Sequence, residues 1–442
     1  MSLSNAKSVT TRNRPPNSKT PLVMYALKVL VFMMVLMSAR AYAAAPLTLT
    51  EALATALKNH PLTVEARENL NGAEARTGQA LANYYPQISI AADWSKGRSF
   101  LTASESVKSI EVQSDTLYLK QTIYDFGRTA GAVEAARGNS AAAAELLAVT
   151  RQDVAFRVRA AYYLVLAAEK QIVAVRETVL AREEVYRQAR GFFTEGIRAK
   201  VDVARAEADM HAARTLLIRA ENNLEIAKLE LANAMGVPSL EDRMPVEPGI
   251  VAADVPERSR VRLEALANRA ELKRLNALKD AAAGNLKTAR SGYFPILSGT
   301  ASVGYADKDF PPGGNVWAVG LNLTVPIFSG FSTVELVKEA VSSLRAVEAR
   351  ENDLRLQIGK DVESAWLGVR EASARIVSTE KEESAARENR ALSMGRYQEG
   401  VGNIIEVTDA QSQALAAETA HIQAFYDYHT ARARLDRALG KI

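Results

Sequence analysis

Cysteine is absent from this 442-residue chain, and histidine occurs only four times. Without cysteine there is no disulfide framework, no thiolate metal site and no acylated-cysteine lipid anchor. His60, His211, His421 and His429 lack the HExxH spacing of a zinc site, and no glycine-rich phosphate loop or Ser/His/Asp grouping stands out. We therefore expect a protein that is not an enzyme, with no catalytic residue, no cofactor and no metal site.

A long hydrophobic run is also missing, because the most apolar stretch, Leu22 to Met37, is short and contains Lys28. Basic residues precede this stretch and Ala41-Tyr42-Ala43 follows it, which is the pattern of a secretory signal peptide. We predict a signal peptide over residues 1–43 that is cleaved after Ala43. A permanent membrane anchor is the alternative, and the shortness of the run argues against it.

Excess positive charge disappears once that segment is set apart. Of the 55 Lys and Arg residues, six lie in residues 1–43, which contain no Asp or Glu. This leaves 49 basic residues against 51 acidic ones, a net charge of −2. The basicity therefore belongs to the signal peptide, and no nucleic-acid partner is expected.

Proline is absent between Pro86 and Pro238, and neither proline nor glycine occurs from Asn139 to Arg190. At about 1.5 Å per residue this second stretch would form a helix about 78 Å long. Its apolar residues recur alternately every three and four positions, which is the heptad spacing of helices that pack along one seam. A cytoplasmic coiled-coil rod would show the same pattern. The seam consists of Val154, Val158, Ala161, Val165, Ala168, Ile172, Val175 and Val179.

The chain contains an internal duplication. Four short segments recur, three of them at an offset of 203 or 204 residues and one at 209. We predict repeat 1 over residues 44–236 and repeat 2 over 261–442, joined by a proline-rich linker over 237–260. The matching segments are Tyr85–Ser89 with Phe294–Ser298, Ile123–Gly127 with Pro326–Gly330, Glu195–Ile197 with Glu399–Val401, and Ala234–Gly236 with Ala438–Gly440.

In each repeat the apolar period changes to two between a proline and the next glycine. This predicts β-hairpins with strands at about 86–98 and 114–126 in repeat 1, and at about 295–307 and 315–328 in repeat 2. One strand face is apolar, the other is small or polar, and strands of about ten residues cross a bilayer at a tilt. Aromatic residues gather at the helix-side ends, as at a membrane interface. The edge of a soluble β-sandwich is the alternative.

Four strands cannot close a barrel, and an open sheet edge is not tolerated in hydrocarbon. If the strands span a membrane, several chains must pool them. The sequence therefore predicts an oligomer without giving the number of its chains.

The remaining intervals predict one long helix and one return helix in each repeat, at 128–193 and 200–236 and at 331–397 and 404–439. A return helix and the helix that precedes the strands together match the long helix in length, so two short helices stacked end to end would lie beside one long one. The fold class expected is a mixed α/β membrane protein that is mainly helical.

These features together resemble the TolC family of outer-membrane efflux proteins over essentially the whole chain after the signal peptide. The resemblance is carried by the tandem repeat and by the order and spacing of several short motifs. The motifs are LTLTEALATALKNHP at the start, the strand entries YYPQISI and YFPILSG, the strand exits YDFG and PIFSGF, and the turns Gly196–Val203 and Gly400–Val407.

The resemblance implies a homotrimer in the outer membrane of a Gram-negative bacterium. Twelve strands, four from each chain, would form one β-barrel in the lipid, continued by a twelve-helix α-barrel in the periplasm with the linker near its equator. A periplasmic adaptor protein would couple this duct to an inner-membrane pump of RND or ABC type. The implied function is the exit duct of a tripartite efflux or type I secretion system, and the sequence does not distinguish drug, metal and protein cargo.

The resemblance also implies that the turns beyond the long helices form a periplasmic aperture closed by acidic side chains. The family's acidic positions fall on Glu406 and Asp409, with Asp202 at the matching place in repeat 1, and Tyr397 matches a tyrosine that helps to hold some members closed. Threefold symmetry would bring like carboxylates together, where they would repel one another and attract cations.

At Gly402 the chain departs from TolC, which has a latch arginine there. Arg198, Lys200 and Arg205 lie near the other turn and are candidates to replace that arginine, so the closed-state bonds stay open.

The exposed turn residues Gly196, Ile197, Gly400 and Val401 match the family's adaptor-docking tips. Ordinary turn chemistry, with glycine at positive φ, would explain the two glycines equally well.

A different class of function is a trimeric coiled-coil adhesin or envelope spacer, which would share the helices and the membrane strands but lack a pore. The two nearly equal repeats with hairpin-like helices favour a tube over a solid stalk. A soluble scaffold is the third alternative.

Overall fold

The computed structural model describes residues 46–101, 106–240, 243–247 and 257–442. The predicted signal peptide over 1–43, with its cleavage site at Ala43, lies outside the described residues, as do positions 241–242 and 248–256 of the linker. The chain divides into a small unit, Met1–Pro46 with Glu241–Arg243, and a large unit, Leu47–Leu240 with Met244–Ile442. All elements described below belong to the large unit.

Each repeat has the same order of elements: two helices, a β-hairpin, a helix of 67 residues and a return helix. Repeat 1 comprises α1 (Leu49–Asn59), α2 (Pro61–Leu81), β1 (Gln87–Leu101), β2 (Ser106–Tyr124), α3 (Arg128–Thr194) and α4 (Lys200–Met235). Repeat 2 comprises α5 (Arg258–Asn268), α6 (Ala270–Ser291), β3 (Ile296–Asp307), β4 (Gly314–Thr324), α7 (Ser332–Gln398) and α8 (Ile404–Ala438). The predicted fold class, mainly helical with two hairpin-and-long-helix repeats, is confirmed.

The heptad seam of α3 forms the centre of the helical packing. All eight of its predicted residues, from Val154 to Val179, are buried. Five of them, from Val154 to Ala168, lie in one core cluster with residues of α1 and α4 of the same repeat and of α8 of the other, so α3 is covered on both flanks. The corresponding seam of α7, predicted from Ile358 to Ile376, packs against α5, α6 and α8; its residues up to Ala372 are buried and Ile376 is half-buried.

The strands form one antiparallel sheet in the order β1-β2-β3-β4. Pairing in the first hairpin runs from Gln87 opposite Lys120 to Leu101 opposite Ser106. At their loop ends both strands are longer than the predicted 86–98 and 114–126, because backbone pairing continues where the apolar alternation has stopped. β4 ends at Thr324, four residues before the predicted 328, since Pro326 has no N–H for the ladder. β1 and β4 are the two sheet edges and have no strand partner among the described residues.

The two faces of the sheet differ as the alternation predicts. Cross-strand neighbours on one face are apolar and exposed, as in the row Ile90, Leu117, Val303 and Trp317. Neighbours on the other face are small or polar, as in the row Lys120 and Thr300. No helix within the described ranges combines the length and the apolar character that a membrane span needs.

Candidate functional site

The candidate site lies where the two long helices end and the chain reverses. The first turn, 195–199, connects α3 to α4, and the second, 399–403, connects α7 to α8. Gly196 and Gly400 have φ values of 74° and 78°, a region that residues with a Cβ atom rarely adopt. The amide of Gly196 donates to the carbonyl of Phe193, and the amide of Gly400 donates to that of Tyr397. The same turn geometry thus recurs in both repeats.

Each turn presents an apolar side chain to solvent immediately after its glycine. Ile197 is 58% exposed and Val401 is 72% exposed. All four predicted docking residues therefore lie at the outermost point of a helical hairpin.

Beneath the turns, a small apolar cluster joins the two repeats. It is formed by Val185 and Ala189 of α3, Ala206 of α4, Tyr397 of α7, and Ile404 and Val407 of α8. Tyr397 is fully buried, its ring lies 5.7 Å from that of Phe192, and its hydroxyl has no hydrogen-bond partner among the described residues. Burial, together with the nearby carboxylate of Asp202, raises the pKa of Tyr397. Tyr397 thus contributes to this cluster through its aromatic ring.

Arg198 connects the two turns directly. Its guanidinium donates to the carbonyls of Gly400 at 3.1 Å and Gly402 at 2.6 Å, and its Cζ atom lies 5.7 Å from the centroid of the Tyr397 ring. The sequence offers Arg198, Lys200 and Arg205 as equal candidates for a contact between the turns. In the described contacts Arg198 is the one that crosses to the second turn.

Gly402 cannot carry a side chain without local movement. A Cβ atom there would lie 3.0 Å from the backbone carbon of Arg396 and 3.0 Å from the backbone nitrogen of Tyr397. The second turn is thus closely packed at Gly402, and the arginine that connects the two turns lies on the first turn.

The three predicted gate carboxylates have different surroundings within one chain. Glu406 lies in the first turn of α8, where its amide donates to Asn403 Oδ1 at 2.9 Å and its carboxylate lies 3.7 Å from Arg396 Nε. Asp409 is exposed, nearly one turn further along α8. Asp202 is half-buried in the first turn of α4 and faces Tyr397. Neither Asp202 nor Asp409 has an ion-pair partner in the described part of this single chain.

Arg182, which follows Val179 on the α3 seam at the next heptad step, is not among the residues predicted for the site. Arg182 is buried, and it donates to the backbone carbonyl of Asp209 on α4 and to Ser412 Oγ on α8, both at 3.0 Å. Its guanidinium ties the return helices of both repeats to α3. The signal in the sequence was an arginine at a heptad position where the preceding seam residues are apolar.

Within residues 46–101, 106–240, 243–247 and 257–442, no group of three or more His, Asp or Glu side chains is placed to hold a metal ion.

Known proteins match this chain over most of its length. The family model described as "Outer membrane efflux protein" matches residues 52–237 and 261–441. The chain is 26% identical over 401 residues to "Outer membrane efflux protein BepC" of Brucella suis, covering 89% of this chain and 86% of the relative. It is 24% identical over 366 residues to "Alkaline protease secretion protein AprF" of Pseudomonas aeruginosa, covering 77% and 74%.

Solved structures share the fold. The CmeC outer membrane channel of Campylobacter jejuni superposes with a TM-score of 0.80 at 18% identity, covering 89% of this chain and 85% of CmeC.

Proposed function

Since this chain belongs to the outer membrane efflux protein family, we propose that three copies of it form the exit duct of a tripartite efflux or type I secretion system. Family membership makes it an outer-membrane channel protein of Gram-negative bacteria rather than an enzyme. The trimer, the partners and the gate are the parts that we propose.

The observation that carries the proposal is the four-stranded sheet with two unpaired edges. Its apolar face is exposed in the single chain, and no described helix covers it. An open edge in hydrocarbon would leave backbone N–H and C=O groups without partners, each at a cost of several kcal/mol. Pairing of β4 with β1 of the next copy removes both edges, and twelve strands from three copies close the sheet around one path.

The helical part continues the duct into the periplasm, where it meets its partners. The tips at Gly196, Ile197, Gly400 and Val401 dock a periplasmic adaptor protein, which connects the duct to an inner-membrane pump of RND or ABC type. The exposure of Ile197 and Val401 supports this, because an apolar side chain at a hairpin tip gains free energy when a partner covers it. Efflux and protein secretion both occur among the relatives, so the cargo class stays open.

The tips also form the gate. Glu406 and Asp409, with Asp202 behind them, line a narrow periplasmic aperture in which threefold symmetry brings like charges together. Tyr397 packs the closed state and Arg198 holds the two turns of one chain to each other. Opening requires the second turn to leave the first, so the Arg198 bonds break as the aperture widens.

We propose in addition that residues 1–43 direct export and are removed after Ala43, and that the linker 237–260 lies around the equator of the helical part. Within the linker, Val246 donates to the hydroxyl of buried Tyr162 at 2.9 Å, and Tyr426 donates to Glu247 at 3.1 Å. These bonds support a position against α3 and α8.

The test is the conductance of the purified trimer in a planar lipid bilayer. The wild type should give small, cation-selective currents. Replacing both acidic residues, Glu406→Gln with Asp409→Asn, should increase the current and reduce the selectivity for cations, because the aperture loses the carboxylates that retain cations and repel anions.

A control with the same change in charge far from the tips, Asp280→Asn with Glu339→Gln, should behave as the wild type. A channel whose current and cation selectivity do not change with the substitutions at 406 and 409 would support the duct but exclude these residues as its gate. A folded trimer without current would favour an envelope spacer.

A further inference from the structure

Three clefts of one chain join into a single groove along one side of the molecule's large unit. The first, about 700 Å³, lies between the polar face of the sheet and the start of α3, and the second, about 660 Å³, shares Arg128 with it. The third, about 710 Å³, lies over α2, α3 and α6. It shares Asn285 and Thr288 with the second cleft and Ala132 with the first.

The helices contribute the groove residues from one face each. On α2 the lining residues Asn69, Ala73 and Arg76 lie four and three positions apart, and Asn83 of the short 3-10 turn after α2 continues the row. Residues at this spacing lie on the same side of a helix. The groove is therefore a continuous surface that extends the polar face of the sheet downward over the helices.

This groove presents four cations without carboxylate partners. Lys120, Arg76, Arg128 and Arg274 line it and are exposed, and none of these side chains makes an ion pair with any residue that the structure describes. Unpaired basic side chains are common in the described chain; what distinguishes this groove is that four of them line it together with one described carboxylate.

The carboxylate that lines the groove among the described residues, Asp125, is already engaged. Its Oδ1 accepts from the amide of Gly127 at 3.1 Å, and its Oδ2 accepts from the amide of Thr129 at 2.7 Å and from the Thr129 hydroxyl. Asp93, on the same face of the sheet but opposite Ser114, lies several residue pairs further from the helices than Lys120. The excess of positive charge thus begins at the sheet end of the groove and continues over the adjoining helices.

The surface opposite the groove is apolar on the sheet, as a lipid-facing surface is, and charged but ion-paired on the helices. On the sheet, that side is the exposed apolar face with Ile90, Trp317 and Val319. On the helices, Lys287 and Glu134 lie about half a turn away from the groove residues of α6 and α3 and pair with each other at 2.5 Å. In a sheet closed around a path, the groove is the inner wall.

We propose that the membrane-side segment of the duct is a basic conduit that binds anionic groups of the cargo, such as carboxylate, phosphate or sulfonate. The inference rests on the proposed function, since only a closed assembly turns the groove into an inner wall. With three copies, the four cations of each chain surround one water-filled path, where low-dielectric walls strengthen their field. Guanidinium groups add directional hydrogen bonds to the oxygens of such anions. The duct would then have acidic residues at its entrance and basic residues towards its exit.

The basic conduit is tested with inorganic tripolyphosphate and a planar bilayer that contains the wild-type trimer. The tripolyphosphate is added on the side of the bilayer towards which the loops of the β-hairpins project. We expect it to block the current reversibly. The quadruple variant Lys120→Gln, Arg76→Gln, Arg128→Gln, Arg274→Gln should require an inhibitory concentration about tenfold or more above that of the wild type, because the charge that attracts the polyanion is gone. Arg128→Gln alone should give an intermediate inhibitory concentration. This single variant keeps the proposal testable if the quadruple variant does not assemble.

The matched control is Lys287→Gln, which removes one positive charge at a similar height on the opposite side. It should be blocked as the wild type is. A conducting wild type that tripolyphosphate does not block, or equal block of the wild type and the Arg128 variant, would overturn the basic conduit and leave the duct intact. Absence of any current from the folded trimer would overturn the proposed function and this inference with it.

Discussion

At the scale of single residues, the contact between the two turns comes from the first turn. Gly402 is closely packed, and a side chain there would require its neighbours to shift by a few tenths of an ångström, whereas Arg198, at the equivalent position 204 residues earlier, donates to two carbonyls of the second turn. Hydrogen bonds from a charged donor contribute about 1.5–3 kcal/mol each when they are shielded from water. The arginine of repeat 1 thus makes a contact between the turns, whereas repeat 2 has glycine at the equivalent position.

Replacing Arg198→Gln should raise the conductance of the closed channel and the frequency of opening, because the two turns lose their direct connection. Arg205→Gln is the matched control, since it removes the same charge from an exposed position of α4 with no described partner. Single-channel recording separates the two variants. Equal behaviour of both would show that charge near the tip matters and the Arg198 contact does not.

At the scale of elements, close approach of α3 and α6 depends on glycine. A Cβ atom at Gly138 would lie 2.6 Å from the backbone nitrogen of Ala281, and one at Gly284 would lie 2.5 Å from that of Ala135. Neither contact is possible without moving a helix. This pair of elements carries Arg128 and Arg274 of the proposed basic conduit, so its spacing sets the width of the groove.

The substitution Gly138→Ala should destabilise the protein by about 1–3 kcal/mol, the usual cost of overpacking. Gly78→Ala, in a helix position with nothing within 4 Å of the added Cβ, should leave stability unchanged or slightly raised. Thermal unfolding followed by circular dichroism compares them. A melting temperature of Gly138→Ala equal to that of Gly78→Ala would mean that α3 and α6 can move apart at little cost in free energy.

At the scale of the whole molecule, a partly buried ion cluster ties the two repeats together. Arg437 of α8 contacts Asp153 of α3 and Glu271 of α6, each at 2.6 Å, and Arg269 donates to Glu271 at 3.1 Å. Burial alone would raise the pKa of Glu271, but hydrogen bonds from Arg269 and Arg437 outweigh it and hold that pKa below the ordinary value of 4.5.

A carboxyl group with a lowered folded-state pKa stabilises the fold above its unfolded pKa, and this contribution is lost as the pH falls through the folded value. The melting temperature of the wild type should therefore decrease below pH 4.5. Glu271→Gln should cost about 3 kcal/mol near neutral pH, because it leaves two guanidinium groups without their shared carboxylate, and should flatten the acid dependence.

Glu225→Gln, which removes an exposed partner of Lys228, should leave both the melting temperature and its pH dependence near those of the wild type. An acid dependence of Glu271→Gln as steep as that of the wild type would place the responsible group elsewhere.

The local patterns of the sequence determined the family, the fold class and the seams. All eight α3 seam residues are buried, and the alternation assigned the sheet faces, because period and burial are set by each element's own geometry. The gate carboxylates, the docking tips and the domain limits stay predictions that only experiments on the assembled protein address.

Tertiary structure alone decided which long-range contacts form. The bonds of Arg198 to the second turn, of buried Arg182 to α4 and α8, and of Arg437 across the repeats join residues tens to hundreds of positions apart. No local period encodes such pairs, because each depends on the relative height and rotation of helices that meet only after the chain has reversed. For the same reason, the four cations of the groove are scattered in the sequence and come together on one wall only when α2, β2, α3 and α6 are packed side by side.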